Sequence, residues 1–257
     1  TNWNVENPKS IYTSIENNIP FVTFESANLI CDLYDSIIIY NCSGKINFLT
    51  KEFEGKNGRK DWQKAGLDKN SVYATLPNSY KVILDNVNFD LDNVTLHHKK
   101  YFPNKSIKGT LSDRCIQGAK PETSRYPKFT PYVNEIVSLN NIYPSVNYTG
   151  GFSLEGQSII GSAINNKNAV IEIHRKGKLF FLVESERFNI KEKSFHANNA
   201  KFKFITNNDT LSHPRAKVAL STTDNELSIY RDPENNGSPP ITSTFNKVKI
   251  YCDKLTW

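Results

Sequence analysis

The sequence predicts an all-β protein of antiparallel strands, on three observations. Residues 169–205, AVIEIHRKGKLFFLVESERFNIKEKSFHANNAKFKFI, read as successive strands joined by very short turns, with side chains alternating at period two. The apolar inventory is Ile, Val, Phe and Tyr, with 12% aromatic residues, which suits strands better than helices. No window in that stretch carries apolar residues at helical spacing for three turns. Asn pairs (Asn17-Asn18, Asn140-Asn141, Asn165-Asn166, Asn198-Asn199, Asn207-Asn208, Asn235-Asn236) punctuate the chain and suit turn tips, where Asn accepts a left-handed backbone. The expected arrangement is elongated, with strands stacked in two halves; two tandem β-sandwiches are the alternative.

Taken in order, residues 1–20 are polar, hold Pro8 and Pro20, and read as an irregular lead-in. Residues 21–111 form the first β half. In it Ala27, Leu29, Cys31 and Leu33 alternate onto one face, a turn follows at Tyr34-Asp35, and a strand returns at residues 37–40. The segment GKNGRK lacks the spacing of a phosphate-binding loop and has no strand-to-helix switch around it, so it reads as a hairpin tip. Strands resume at residues 72–76, 80–84, 87–91, 94–98 and 107–111. Residues 112–148 carry Pro121, Pro127 and Pro131 and read as a linker or long loop, with a short helical turn over residues 136–146.

Residues 149–257 form the second β half. In its first hairpin Lys176-Gly177 is the two-residue tip. That tip sets Ile173 opposite Phe180 and Ile171 opposite Leu182 on one face, with Val170 and Val183 on the other. Ala200, Phe202 and Phe204 then face one way and Lys201 and Lys203 the other. The half closes with strands at residues 217–220, 227–230 and 248–255, around a Pro/Asn/Gly loop at residues 232–240. An internal repeat links the halves. Ala27-x-Leu29-x-Cys31 followed by Asp35-Ser36-Ile37 parallels Ala200-x-Phe202-x-Phe204 followed by Asp209-Thr210-Leu211.

At 257 residues the chain is long enough for a substantial core. It contains no Met, even at position 1, which reads as an excised segment or a processed product. No apolar run reaches the length of about 18–20 residues that a membrane helix needs. The net charge of +6 is carried by scattered lysines rather than a basic stripe interleaved with aromatics, so nucleic acid is not an expected partner.

No residue pattern names an activity, and no catalytic residue, cofactor or metal is expected. Cys31, Cys42, Cys115 and Cys252 lack CxxC spacing. Cys31 and Cys42 lie on consecutive strands and within pairing reach, but buried free thiols are the preferred reading. His97, His98, His174, His196 and His213 form no HExxH, and His97 and His98 point to opposite faces of a strand. Ser153 in GGFSLEG has the wrong spacing for a nucleophile elbow; its glycines suit a tight turn or a close strand approach. The pairs Glu52/Glu54, Asp90/Asp92 and Glu184/Glu186 each share a face, as a glycosidase dyad or calcium site would, but a solvated strand face explains them more simply. Trp3, Trp62 and Trp257 are widely separated and read as buried rather than as a sugar platform. Asn41, Asn93, Asn104, Asn147, Asn208 and Asn236 fall in glycosylation sequons, in a chain rich in Asn.

The strings DSIIIYNCSGKINF, GKNGRKDWQKAGL, YFPNKSIKG, YTGGFSLEGQSIIGS and NDTLSHPRAKVALSTTDNELSIYRD resemble very large, uncharacterised envelope proteins of Bacteroidetes, over most of residues 19–257. The strand–turn–strand pattern is also similar to periplasmic lipopolysaccharide-transport bridges, whose short strands stack into an open β-jellyroll. These resemblances imply a structural or scaffold segment of a cell-envelope protein, in the periplasm or at the surface. Its partners would be other segments of that protein or complex. They also imply O-glycosylation at Ser36 and Thr210, each in an Asp-Ser/Thr turn. The alternative expectation is a carbohydrate- or lipid-binding β module, and the third a glycoside-active enzyme.

Overall fold

The computed structural model describes residues 2–206, 209–231 and 239–257. Among them are twenty-three β-strands and two short 3-10 turns, with no α-helix, and the strand pairings are antiparallel. Two compact units divide the chain: Thr1–Val133 with Leu154–Gln157, and Asn134–Ser153 with Ser158–Trp257.

The first unit contains β1 (Trp3–Glu6), β2 (Ser10–Glu16), β3 (Ile19–Cys31), β4 (Ile37–Asn47), β5 (Glu52–Lys56), β6 (Arg59–Asp61), β7 (Val72–Thr75), β8 (Tyr80–Ile83), β9 (Asn88–His98), β10 (Ile107–Arg114) and β11 (Lys128–Pro131). Its centre is the long hairpin β3–β4, which bends midway. Ser26 (φ 49°) and Asn41 (φ 51°) are left-handed within their strands, and each inserts one extra residue into the ladder. The register steps from Phe24↔Gly44 to Ala27↔Cys42 to Leu29↔Ile39, three residues against two and then two against three. Each bulge resets the period-two alternation, so Phe24, Ala27, Leu29, Cys31, Ile39 and Cys42 all stay in the core.

On one side of the bend β3 pairs with β2, while β4 pairs with β5, which continues to β8. On the other side β3 pairs with β1, and Tyr40 of β4 meets Arg59 of β6, from which the ladder runs through β7, β9, β10 and β11. Phe24 stacks on Phe53 with ring centroids 5.3 Å apart. That stacking needs a glycine opposite: a Cβ on Gly44 would lie 2.7 Å from the Phe53 ring.

The second unit holds β12 (Val137–Tyr143), β13 (Val146–Glu155, whose last two residues belong to the first unit), β14 (Ser158–Ser162), β15 (Ala169–Arg175), β16 (Lys178–Ser185), β17 (Arg187–Ile190), β18 (Ser194–Thr206), β19 (Asp209–Ser221), β20 (Glu226–Arg231), β21 (Ile241–Ser243), β22 (Lys249–Ile250) and β23 (Lys254–Thr256). It repeats the bent hairpin. In β18–β19 the register steps from Ala197↔Val218 to Ala200↔Ala216 to Phe202↔His213, with Asn199 (φ 54°) left-handed where Ser26 is in β3. The partners repeat as well. β17 and β16 flank the two halves of β18 as β2 and β1 flank β3, and β20 and β21 flank β19 as β5 and β6 flank β4. Even the outer pairs correspond, β21–β22 with β6–β7 and β20–β23 with β5–β8. The repeat expected from Ala27-x-Leu29-x-Cys31 and Ala200-x-Phe202-x-Phe204 thus extends to the register of both hairpins.

Several expectations need correction. Residues 1–20 are not an irregular lead-in, because they hold β1 and β2; Pro8 only separates them. Residues 112–148 hold β11 and β12, and the helical turn expected at residues 136–146 is a bulged hairpin with Asn141 at φ 51°. The largest correction concerns β15–β16. Lys176 (φ 50°) and Gly177 (φ 74°) do form the tip, but a register shift follows between Ile173 and His174. Ile173 therefore opposes Phe181 and Ile171 opposes Val183. Ile171, Phe181 and Val183 are fully buried, whereas Phe180 and Leu182 are half-buried. Side-chain alternation cannot reveal that slip, since one extra residue exchanges the two faces.

The YTGGFSLEG segment is explained by packing around Tyr148. Its buried ring meets Phe188 edge-on at 6.2 Å, and its hydroxyl donates to the carbonyl of Gly151. A Cβ at Gly161 would come within 2.7 Å of that ring.

Candidate functional site

The extra residue in β15–β16 has a consequence at the surface of the second unit. It turns Phe180 towards a groove of about 530 Å³. Phe180 lies 4.8 Å from the ring of Trp257 and 5.5 Å from that of Phe204, with Phe245 also lining the groove. The Arg175 guanidinium sits 5.8 Å from the centroids of both Phe180 and Trp257, close enough for cation–π attraction. Main-chain hydrogen bonds in both directions with Leu227, 2.8 and 2.9 Å, hold Trp257 in place.

Polar groups line the rest. Asp209, Thr210, Ser243 and Thr256 come from three strands. Thr244 ties two of these strands together: its hydroxyl donates to Asp209 Oδ1 at 3.1 Å and accepts the Thr210 N–H at 2.8 Å. The result is aromatic surface beside one cation, one carboxylate and hydroxyls, a combination suited to a sugar ring or to an apolar chain with an anionic head. Sequence spacing gives no sign of the Trp257 side of the groove, since an isolated tryptophan reads as buried; Trp257 is 54% exposed. Trp3 and Trp62 are buried, their indoles donating to the carbonyls of Asn86 and Pro127.

A second cavity of the same unit, about 550 Å³, is polar and lies at the bend of β18. Glu186, Arg187, Asn189, His196, Asn199 and Arg215 line it, and Arg215 Nε donates to Asn199 Oδ1 at 3.1 Å. Burial, with Lys217 and Lys191 nearby, holds His196 below the usual histidine range.

The first unit contains a buried ionic cluster. Lys60 and Asp113, 2% and 0% exposed, pair at 3.1 Å. Lys64 Nζ lies 2.6 Å from the other Asp113 oxygen and 3.3 Å from Asp35. Two lysines thus face two carboxylates in the interior, where an unpaired charge would be costly.

The remaining candidate residues do not converge. Lys81 approaches both Glu52 (3.7 Å) and Glu54 (3.5 Å), and Lys201 pairs with Glu184 at 3.3 Å. Asp92 accepts the Tyr132 hydroxyl. These are solvated strand faces with cross-strand pairing. His97 stacks on Tyr73, and His98 is buried beside Tyr101, which pushes it down to about 4. His213 contacts the carbonyl of Pro239. No cluster of three or more metal-ligating side chains occurs among the described residues.

Ser36 and Thr210 occupy equivalent positions, entering the returning strand of each bent hairpin, and both are half-buried. The Ser36 hydroxyl donates to Asp32 at 3.3 Å, and Thr210 lines the groove. Of the sequons, Asn41 and Asn93 sit at strand bulges, while Asn208 and Asn236 lie outside the described residues, as do the Asn207-Asn208 and Asn235-Asn236 pairs and residues 232–238 of the expected loop.

The fold and sites define an all-β protein built on a repeated bent hairpin with an aromatic groove in its second unit. The chain matches no family model, no curated protein and no solved structure.

Proposed function

We propose that this chain is a non-catalytic structural segment of a large bacterial cell-envelope protein, joined through its sheets to further segments. One observation carries the reading. The same doubly bulged hairpin, with the same flanking strands, occurs in both units. Repetition of a supersecondary unit is how proteins extend a scaffold. The lysine partners of Glu52, Glu54 and Glu184 favour a structural role for those carboxylates over a hydrolytic one. Fractionation of cells that produce the protein natively, followed by immunoblotting, tests the reading. Recovery with the envelope is the expected result, and recovery in the cytosol refutes it.

A second reading, a glycan- or lipid-binding module, is favoured by the groove of Phe180, Trp257 and Arg175. A glycan array and flotation with anionic phospholipid vesicles test it on the whole chain, beside a Trp257→Ala variant. Retention that falls at least tenfold in the variant supports this reading. No retention in either assay, or equal retention by both proteins, sinks it.

A further inference from the structure

Two buried thiols of the first unit face each other although they are distant in sequence. Cys31 ends β3 and is fully buried; Cys115 follows β10 directly and is 8% exposed. Their Sγ atoms are 3.7 Å apart. The surrounding chain holds this approach without help from the sulfurs. The Cys115 N–H donates to the Val87 carbonyl at 2.9 Å, and the next N–H, of Ile116, donates to Asp35 Oδ1 at 2.7 Å. Cys31 is fixed between Trp3 of β1 and Ile37 of β4. Lys64 clasps Asp35 and Asp113 together, so the turn after β3 and the end of β10 are tied by charge as well.

We infer that Cys31 and Cys115 are a disulfide-forming pair, closed by a disulfide oxidant, for which oxidised glutathione serves as the probe. The pairing open in the sequence, Cys31 with Cys42, is disfavoured by register: Cys42 lies opposite Ala27 at the bend, while Cys31 lies opposite Ile37. Closing the bond brings the sulfurs from 3.7 Å to about 2 Å. In the reaction, the Cys115 thiolate attacks the glutathione disulfide and releases one glutathione thiolate. The Cys31 sulfur then attacks the Cys115 sulfur and releases the second. One protein S–S bond forms and one glutathione S–S bond breaks. Two electrons pass to glutathione, and the two cysteine protons end on two glutathione thiols.

Burial raises both thiols above their ordinary range, Cys115 to about 12, so attack is slow once the unit has folded. Closure therefore belongs to folding, before the sulfurs are covered. The full chain is refolded from urea in a mixture of oxidised and reduced glutathione. Native secondary structure is checked by circular dichroism, and the protein is then denatured and alkylated. The expected product takes up alkyl groups at two of its four cysteines, is lighter by two hydrogen atoms before alkylation, and yields a peptide pair joining Cys31 to Cys115. Cys42→Ser keeps the cross-link, whereas Cys31→Ser and Cys115→Ala each abolish it. Four alkylated cysteines in natively refolded protein overturn the inference, as does a cross-link through Cys42 or Cys252. Because glutathione is supplied in vitro, neither result depends on where the protein resides.

Discussion

Truncation of the adjacent residues Phe180 and Phe181 separates the observed β15–β16 register from the one that simple alternation suggests. Phe181 is fully buried, with ring centroids 4.3 Å from Phe204 and 5.9 Å from Phe202. Phe181→Ala removes a closely packed core ring and is expected to cost about 3–5 kcal/mol. Phe180 is half-buried against Trp257, so Phe180→Ala removes about half as much sheltered apolar contact and is expected to cost about 1–2 kcal/mol. The expected gap is therefore about 2 kcal/mol, roughly thirtyfold in an opening equilibrium. Hydrogen exchange followed by mass spectrometry on peptides from β16 and β18 reads that equilibrium within the second unit. A Phe180→Ala cost equal to or above that of Phe181→Ala would mean that the register shift is absent, and the aromatic groove would fall with it.

Asp113→Ala leaves the buried Lys60 without its carboxylate, while Lys64 keeps only Asp35, and should cost about 3–5 kcal/mol in urea unfolding; a neutral result would refute the buried cluster. His98, lowered to about 4 by burial, gives a pH dependence of definite sign. The unfolded chain takes up a proton near 6.5 that the folded chain refuses until about 4, so stability is whole above that window and falls as pH drops through it. The expected loss is about 3 kcal/mol, and His98→Gln should flatten that part of the curve; an unchanged profile contradicts it. Gly177→Ala meets no neighbouring atom but inherits φ 74°, so it should cost about 1 kcal/mol by backbone strain alone, measured by the same exchange experiment. A neutral Gly177→Ala would mean the tip is not left-handed.

The fold class was legible because strand patterning and composition point the same way: Ala200, Phe202 and Phe204 alternate with lysines and are buried as read. Two kinds of information were hidden. Bulges leave only a faint trace, an Asn where alternation falters, as at Asn41, Asn93, Asn141 and Asn199, and such residues are easily taken for turn tips. The tips were nonetheless real at Asn17-Asn18 and Asn165-Asn166, since the same left-handed tolerance serves both uses. Edge strands were also obscured. β2 leaves Ile11, Tyr12 and Ile15 exposed, so its pattern shows no buried face. The groove depended on one inserted residue, and the Cys31–Cys115 approach on contacts across the fold, and neither is encoded in local spacing.

The bent hairpins also determine where the chain can change length. In both hairpins an extra residue on the outgoing strand is answered by one on the returning strand, so the register is the same before and beyond the bend. A deletion within 27–31 would drag Ser26 out of step with Asn41 and turn a row of buried side chains outward. Variation among descendants of this chain should therefore avoid insertions and deletions within the arms, which keep a fixed length like the teeth of a ratchet.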